Sequence, residues 1–158
     1  MLNPKYLIIH TTAFDGPNCD AAMVDGWHRA RGWRKIGYHF VILNHRCADK
    51  PDGAIETGRA LAEIGAHAQG LNQRSIGICC VGRGDIEPLT SAQGTSLINL
   101  LSQLRIQFPA IKTQHILGHN EMNQLIERGE LQPRFRTAKS CPGRFIDMDA
   151  IRNHIAAS

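Results

Sequence analysis

The stretch Lys5-Tyr6-Leu7-Ile8-Ile9-His10-Thr11-Thr12 is an apolar run of strand length that ends on a histidine. Residues 5–10 read as a buried strand that delivers His10 at its C-terminal end, and Thr11 to Asn18, punctuated by Gly16-Pro17, reads as the loop that follows. Outward from it, a helix is predicted near residues 20–31, with Met23, Trp27 and Ala30 spaced to share one face and Gly32 ending it. Ile36 to Leu43 alternates and is rich in β-formers. Pro51-Asp52-Gly53 is a turn signal, and Ala54 to Thr57 reads as a returning partner strand. Ser75 to Val81 is another strand, preceded by the glycine-containing loop 65–72. The clearest helix starts at Thr90, where Thr90 and Gln93 make a capping box and Leu97, Leu100, Leu101 and Leu104 form an apolar stripe. Gln114 to Leu117 is a short strand ending at Gly118-His119, and a last helix fits Met148 to Ala156. Strands separated by helices predict an α/β domain, a central mixed β-sheet flanked by helices.

The chain has 158 residues, 42% of them hydrophobic and 20% charged, with no depleted window, linker or repeat. That length suits one domain over 1–158 with a substantial core. Lysine and arginine number 18 against 14 acidic residues, a net +4 spread along the chain. A mild positive field suits an anionic partner, but no clustered basic-aromatic pattern marks a nucleic-acid site. The N-terminus lacks the basic start, long apolar core and cleavage site of a signal peptide, and nothing approaches a bilayer-spanning length. A cytoplasmic origin is therefore expected, and five cysteines, an odd count, fit a reducing compartment better than a disulfide framework.

Eight histidines are many for this length. His28 and His154 fall on predicted helices and His45 and His115 flank strands, where packing or surface roles are expected. His10 and His119 differ because each ends an apolar strand beside small or polar residues, where α/β folds put ligands. Cys141 lies in the loop Thr137-Ala138-Lys139-Ser140-Cys141-Pro142-Gly143. A free cysteine is most often a small buried hydrophobe, whereas Lys139, two residues away, would favour the thiolate that binds metal or attacks a carbonyl. Spacing does not choose between these readings, since the three residues match no local zinc signature.

In its ordered motifs the sequence resembles the zinc-dependent N-acetylmuramoyl-L-alanine amidases of the second type, which include small phage amidase lysins and relatives of the animal peptidoglycan recognition proteins. The likeness runs through Ile8-Ile9-His10-Thr11-Thr12-Ala13, Trp27-His28, Gly32-Trp33, Ile36-Gly37-Tyr38-His39-Phe40, Gly58-Arg59, Gly65 to Asn72, Ser75 to Cys79, Gly118-His119-Asn120-Glu121 and Lys139-Ser140-Cys141-Pro142. The stretch Met122 to Arg136 is longer than in compact phage members and reads as a loop or short helix beside the site.

The resemblance implies one zinc per chain held by His10, His119 and Cys141, with water rather than Cys141 as the nucleophile. Tyr38 and Lys139 would be catalytic, Lys139 stabilising charge on the lactyl carbonyl that joins muramic acid to L-alanine. Arg59, His67 and Asn72 would contact substrate, with surface or loop-stabilising roles as their alternatives. Glu121 reads as a helix-start group rather than a general base. The implied partner is peptidoglycan or a muropeptide, the expected state a monomer without a separate wall-binding domain, and the expected setting a phage lysin or an intracellular wall-recycling enzyme. Relatives that only bind peptidoglycan, or that restrain a polymerase, supply the alternative of a binding or regulatory protein.

Overall fold

A computed structural model describes residues 3–158; Met1 and Leu2, with which the domain expected over 1–158 and the N-terminus expected to lack a signal peptide begin, lie outside them. The first strand, β1 (Tyr6–Thr11), is buried along its whole length. It lies between two parallel neighbours, β4 (Ser75–Cys80) and β5 (Ile116–Gly118), with His10 paired to Cys79 and Ile9 to Gly118. Beyond β4 come β2 (Phe40–Ile42), also parallel, and β3 (Ile55–Thr57), which returns antiparallel, so the five-stranded sheet is mixed in the order β3-β2-β4-β1-β5.

Side-chain alternation divides the sheet chemically. On one face Leu7, Ile9, Ile42, Ile76, Ile78 and Cys80 pack beneath α2 (Ser91–Gln107) and α4 (Met148–Ala156), against Leu97, Leu101 and Ile155. Truncating such a side chain, as in Leu101→Ala, costs about 2–5 kcal/mol. On the other face Tyr6, Ile8 and His10 point away from that core, and β4 presents Ser75, Gly77 and Cys79 beside them. Small residues there leave room for side chains from elsewhere in the chain.

The capping box at Thr90 forms as expected: its hydroxyl accepts from Gln93 N and Gln93 Oε1 accepts from Thr90 N. Gln93 is also buried, and its amide donates to the carbonyls of Ile42 and Val81, tying the helix start to the ends of two strands. α1 (Ala21–Ala30) is capped by Asp20 Oδ1, which accepts from Met23 N. Its buried stripe is Val24 and His28 rather than the expected face; Met23 and Trp27 are half-buried and Ala30 is exposed. Strand character over Ile36 to Leu43 contracts to Phe40–Ile42, because Gly37 is engaged crosswise instead: its N–H donates to His28 Nδ1 at 2.9 Å and its carbonyl accepts from Ala66 N. A Cβ at Gly37 would stand 2.0 Å from the Ala66 carbonyl oxygen. The segment after β5 holds α3 (Met122–Glu127) and a single turn at Pro133–Phe135, the short helix and loop expected there. Among the described residues no helix is long and apolar enough to cross a membrane.

Candidate metal centre

His10 reaches the site from the C-terminal end of β1, His119 from the turn His119–Glu121 that follows β5, and Cys141 from the loop before α4. Three backbone ties bring the last of these in. Thr11 Oγ1 donates to Pro142 O at 2.8 Å, Asn120 N to Cys141 O at 2.8 Å, and Phe145 N to Gly84 O at 2.8 Å. The loop passes so near Gly84 that a Cβ there would meet Pro142 O at 1.8 Å, and Gly143, at φ +115, presses on the same backbone. The result is a ring nitrogen of each histidine and the thiol sulfur lying within 4.8 Å of one another. His10 Nδ1 is the nitrogen that faces the sulfur, at 3.6 Å.

The donor chemistry suits a divalent cation. Burial first, then the neighbouring His67 and His119, holds His10 well below the ordinary histidine range, and burial lowers His119 to about 4, so both imidazoles are neutral at pH 7 and keep lone pairs to offer. Burial also pushes the Cys141 thiol up to about 11, outweighing the opposing pull of the Thr11 backbone and Lys139. Lys139 pulls towards the thiolate as expected, but among protein groups alone desolvation outweighs it, and a bound cation would supply the charge that displaces the proton. Two neutral nitrogens and one sulfur within reach of one another are a group that could hold a metal ion, with donor types of the kind zinc takes.

These residues floor a cavity of about 410 Å³, whose wall includes Tyr38, Trp33, Arg31 and Lys139. Tyr38 meets His10 at a tilt of 54° with 4.9 Å between ring centroids, its hydroxyl beside the Cys79 thiol, and burial holds that phenol well above its usual value. A second cavity of about 470 Å³ shares His67, His119 and Lys139 with the first and is walled by Arg134, Phe135 and Arg136 of the long segment. Arg31, Arg134, Arg136 and Lys139 line it with no carboxylate, although Arg136 also meets Glu127 at 2.7 Å.

His67 lies against the centre, its Nδ1 2.9 Å from His10 Nε2. Asn72 lines the second cavity, but its Oδ1 accepts from His67 N and Ala68 N, which shapes the loop. Arg59 is buried, donating to the carbonyls of Ile36 and Ile64, and lines neither cavity. Glu121 is the helix-start group anticipated, accepting from Gly118 N at 2.8 Å. His28, read as a packing residue, in fact combines packing with a place on the wall of the first cavity. Its spacing of four from Val24 was the signal available. Ser75 and Gly77, which back His67, carried the period-two pattern of small residues along β4.

A family model described as N-acetylmuramoyl-L-alanine amidase matches residues 1–144. The chain is 35% identical over 108 residues to the endolysin of Escherichia phage T7, an alignment covering 65% of this chain and 67% of that protein. Alignments with the phage endolysins span from 53% to 67% of their lengths. Among solved structures, N-acetylmuramoyl-L-alanine amidase LysC from Clostridium intestinale superposes with a TM-score of 0.78 at 30% identity, over 98% of this chain and 87% of that one. A tyrosine-to-phenylalanine variant of Drosophila PGRP-LB, solved in complex with tracheal cytotoxin, superposes with a TM-score of 0.66 at 26% identity, over 92% of this chain and 79% of that one.

Proposed function

The chain belongs to the N-acetylmuramoyl-L-alanine amidase family, and from that premise we propose that it hydrolyses the amide bond between N-acetylmuramic acid and L-alanine in peptidoglycan, as a phage-type lysin. The observation that carries the reading is the meeting of His10, His119 and Cys141 within 4.8 Å on the lining of a cavity that shares residues with a second, cation-lined one. These three residues would hold one zinc ion. When bound, zinc supplies Lewis acidity, polarising a carbonyl and making water acidic enough to attack near neutral pH.

The chain's own groups do the rest. Attack on the lactyl carbonyl places negative charge on its oxygen, and groups fixed in position before the reaction stabilise that charge without reorganising. Lys139, on the wall of both cavities, presents a positive charge to it. Tyr38, kept protonated by burial, presents a hydroxyl as donor. His10 and His119, kept neutral by burial, have ring lone pairs with which to hold the ion. The second cavity, with Arg31, Arg134 and Arg136 around it, suits the carboxylate-bearing peptide of a muropeptide, an anionic chain that the overall +4 charge also attracts.

Mass spectrometry of purified muropeptides after digestion tests the proposal. Release of intact peptides with a free L-alanine amine is the expected result, and cleavage within the glycan or between peptides would overturn it.

A further inference from the structure

Four groups behind the metal centre form one hydrogen-bonded row. His10 Nε2 lies 2.9 Å from His67 Nδ1, His67 Nε2 lies 3.3 Å from Ser75 Oγ, and Ser75 Oγ lies 2.8 Å from Leu71 O. The last member sets the direction of all the others. A carbonyl oxygen only accepts, so the single hydroxyl proton of Ser75 points at Leu71 and its oxygen lone pairs face His67. His67 Nε2 must then carry the proton it donates to Ser75, which leaves His67 Nδ1 bare. A bare Nδ1 in turn requires His10 to donate through Nε2–H, and a neutral imidazole has only that one proton. His10 Nδ1, 3.6 Å from Cys141 Sγ, is therefore left with its lone pair free. Reversing His67 or Ser75 alone would set two lone pairs facing each other at the fully buried Ser75, and reversing His10 alone would do so at its contact with His67.

The fold holds His67 to this place. Its ring lies so near the backbone of β4 that a Cβ on Gly77 would stand 2.5 Å from it, and one on Gly65 would stand 2.7 Å away. We propose that the Leu71 carbonyl, acting through Ser75 and His67, fixes His10 as its Nε2–H tautomer and so keeps Nδ1 ready for the metal; this rests on the metal-centre reading above. His67 is then a positioning residue that works through His10. A hydrogen bond from a metal-bound histidine's second nitrogen fixes its tautomer and orientation, and losing such a partner commonly weakens metal binding about 10–100-fold.

The test uses the full chain and two readouts that need no turnover: the tautomer of His10 by long-range ¹H–¹⁵N correlation on metal-free protein, and zinc affinity by chelator competition. Metal-free wild type should show His10 as Nε2–H. His67→Leu should weaken zinc binding about 10–100-fold, and His67→Asn, whose side-chain oxygen offers an acceptor near the position of Nδ1, should recover most of the loss. Ser75→Ala, a one-atom deletion that keeps the protein testable if His67→Leu fails to fold, should turn His10 into a mixture of tautomers. An Nδ1–H tautomer in wild type, or a His67→Leu protein with wild-type affinity and an unchanged tautomer, would overturn the inference. If wild type holds the Nε2–H tautomer but takes up no zinc, the metal reading fails while the tautomer assignment stands.

Discussion

Arg152 of the last helix grips Glu121 with both guanidinium nitrogens, at 2.7 and 2.9 Å, while Glu121 caps the turn that presents His119. Both side chains are only about one-sixth exposed, at 17% and 16%. Arg152 also donates to Ile116 O in β5, so one residue fastens α4 to the strand and to the turn. Removing one partner of a half-buried bidentate pair leaves the other poorly solvated, and Arg152→Met should lower unfolding stability by about 1–3 kcal/mol, the cost of an unsatisfied polar group. Urea unfolding monitored by circular dichroism measures this.

Purified chain should carry about one zinc, and His10→Ala or Cys141→Ala should lose both metal and amidase activity, since each removes one of three ligands. Metal content by atomic absorption, run alongside turbidity loss of a peptidoglycan suspension, checks the pair. Full activity in either variant would remove that residue from the centre.

Lys139→Ala should keep zinc and lose catalysis by about 10²-fold or more, as is typical when a preorganised stabiliser of developing charge is removed. The loss should fall on kcat, because the charge it faces exists only in the transition state.

Tyr38→Phe deletes one hydroxyl from a buried ring and leaves its tilted contact with His10 in place. Its metal content should be unchanged and its rate lowered by about 10-fold or more, the scale of a lost hydrogen bond to developing charge. A wild-type rate would return Tyr38 to a packing role.

The buried histidines predict how the metal-free protein responds to acid. Burial lowers His28 and His119 to about 4 and His67 to about 3, all below the value near 6.5 of an unfolded histidine. The unfolded chain therefore binds protons first as the pH falls. The stability these residues contribute is complete above pH 6.5 and is lost progressively as the pH drops towards 4. Glu63, lowered to about 2 chiefly by the Ala60 N–H and then by Arg34 and Lys35, loses its contribution only below about 4.5, so the upper window belongs to the histidines. Thermal melts of chelator-treated protein should fall between pH 6.5 and 4.5 by about 2–4 °C for each kcal/mol lost. His28→Asn, which keeps an acceptor for the Gly37 N–H, should flatten that slope.

Much of this fold was legible where the signal is local. The capping box at Thr90, the leucine stripe behind it and the helix from Met148 to Ala156 depend on neighbours within a turn or two, and the structure keeps them. The end of β1 was legible for the same reason, and it places His10. What escaped were partnerships across the chain. His10 and His67 are 57 positions apart, and no periodicity links them. Arg59 stands in a motif but turns inward to backbone carbonyls, because the irregular course of residues 36–39 and 60–66 leaves acceptors that a buried guanidinium can satisfy. Ile36 to His39 had strand composition, yet Gly37 gave its hydrogen bonds to a helix histidine and a loop.

His10 and Cys141, two of the proposed ligands, are 131 positions apart in the chain. His10 is made 131 residues before Cys141, so during synthesis the proposed centre stays incomplete until the later loop has emerged and docked. A product interrupted before residue 141 should take up no zinc and show no activity, however well its first strand folds. A cation bound there would staple β1 to the loop before α4, closing a loop 131 positions long and restricting the unfolded ensemble more than a short-range site would. Removing the cation should therefore loosen the entire molecule rather than one corner of it.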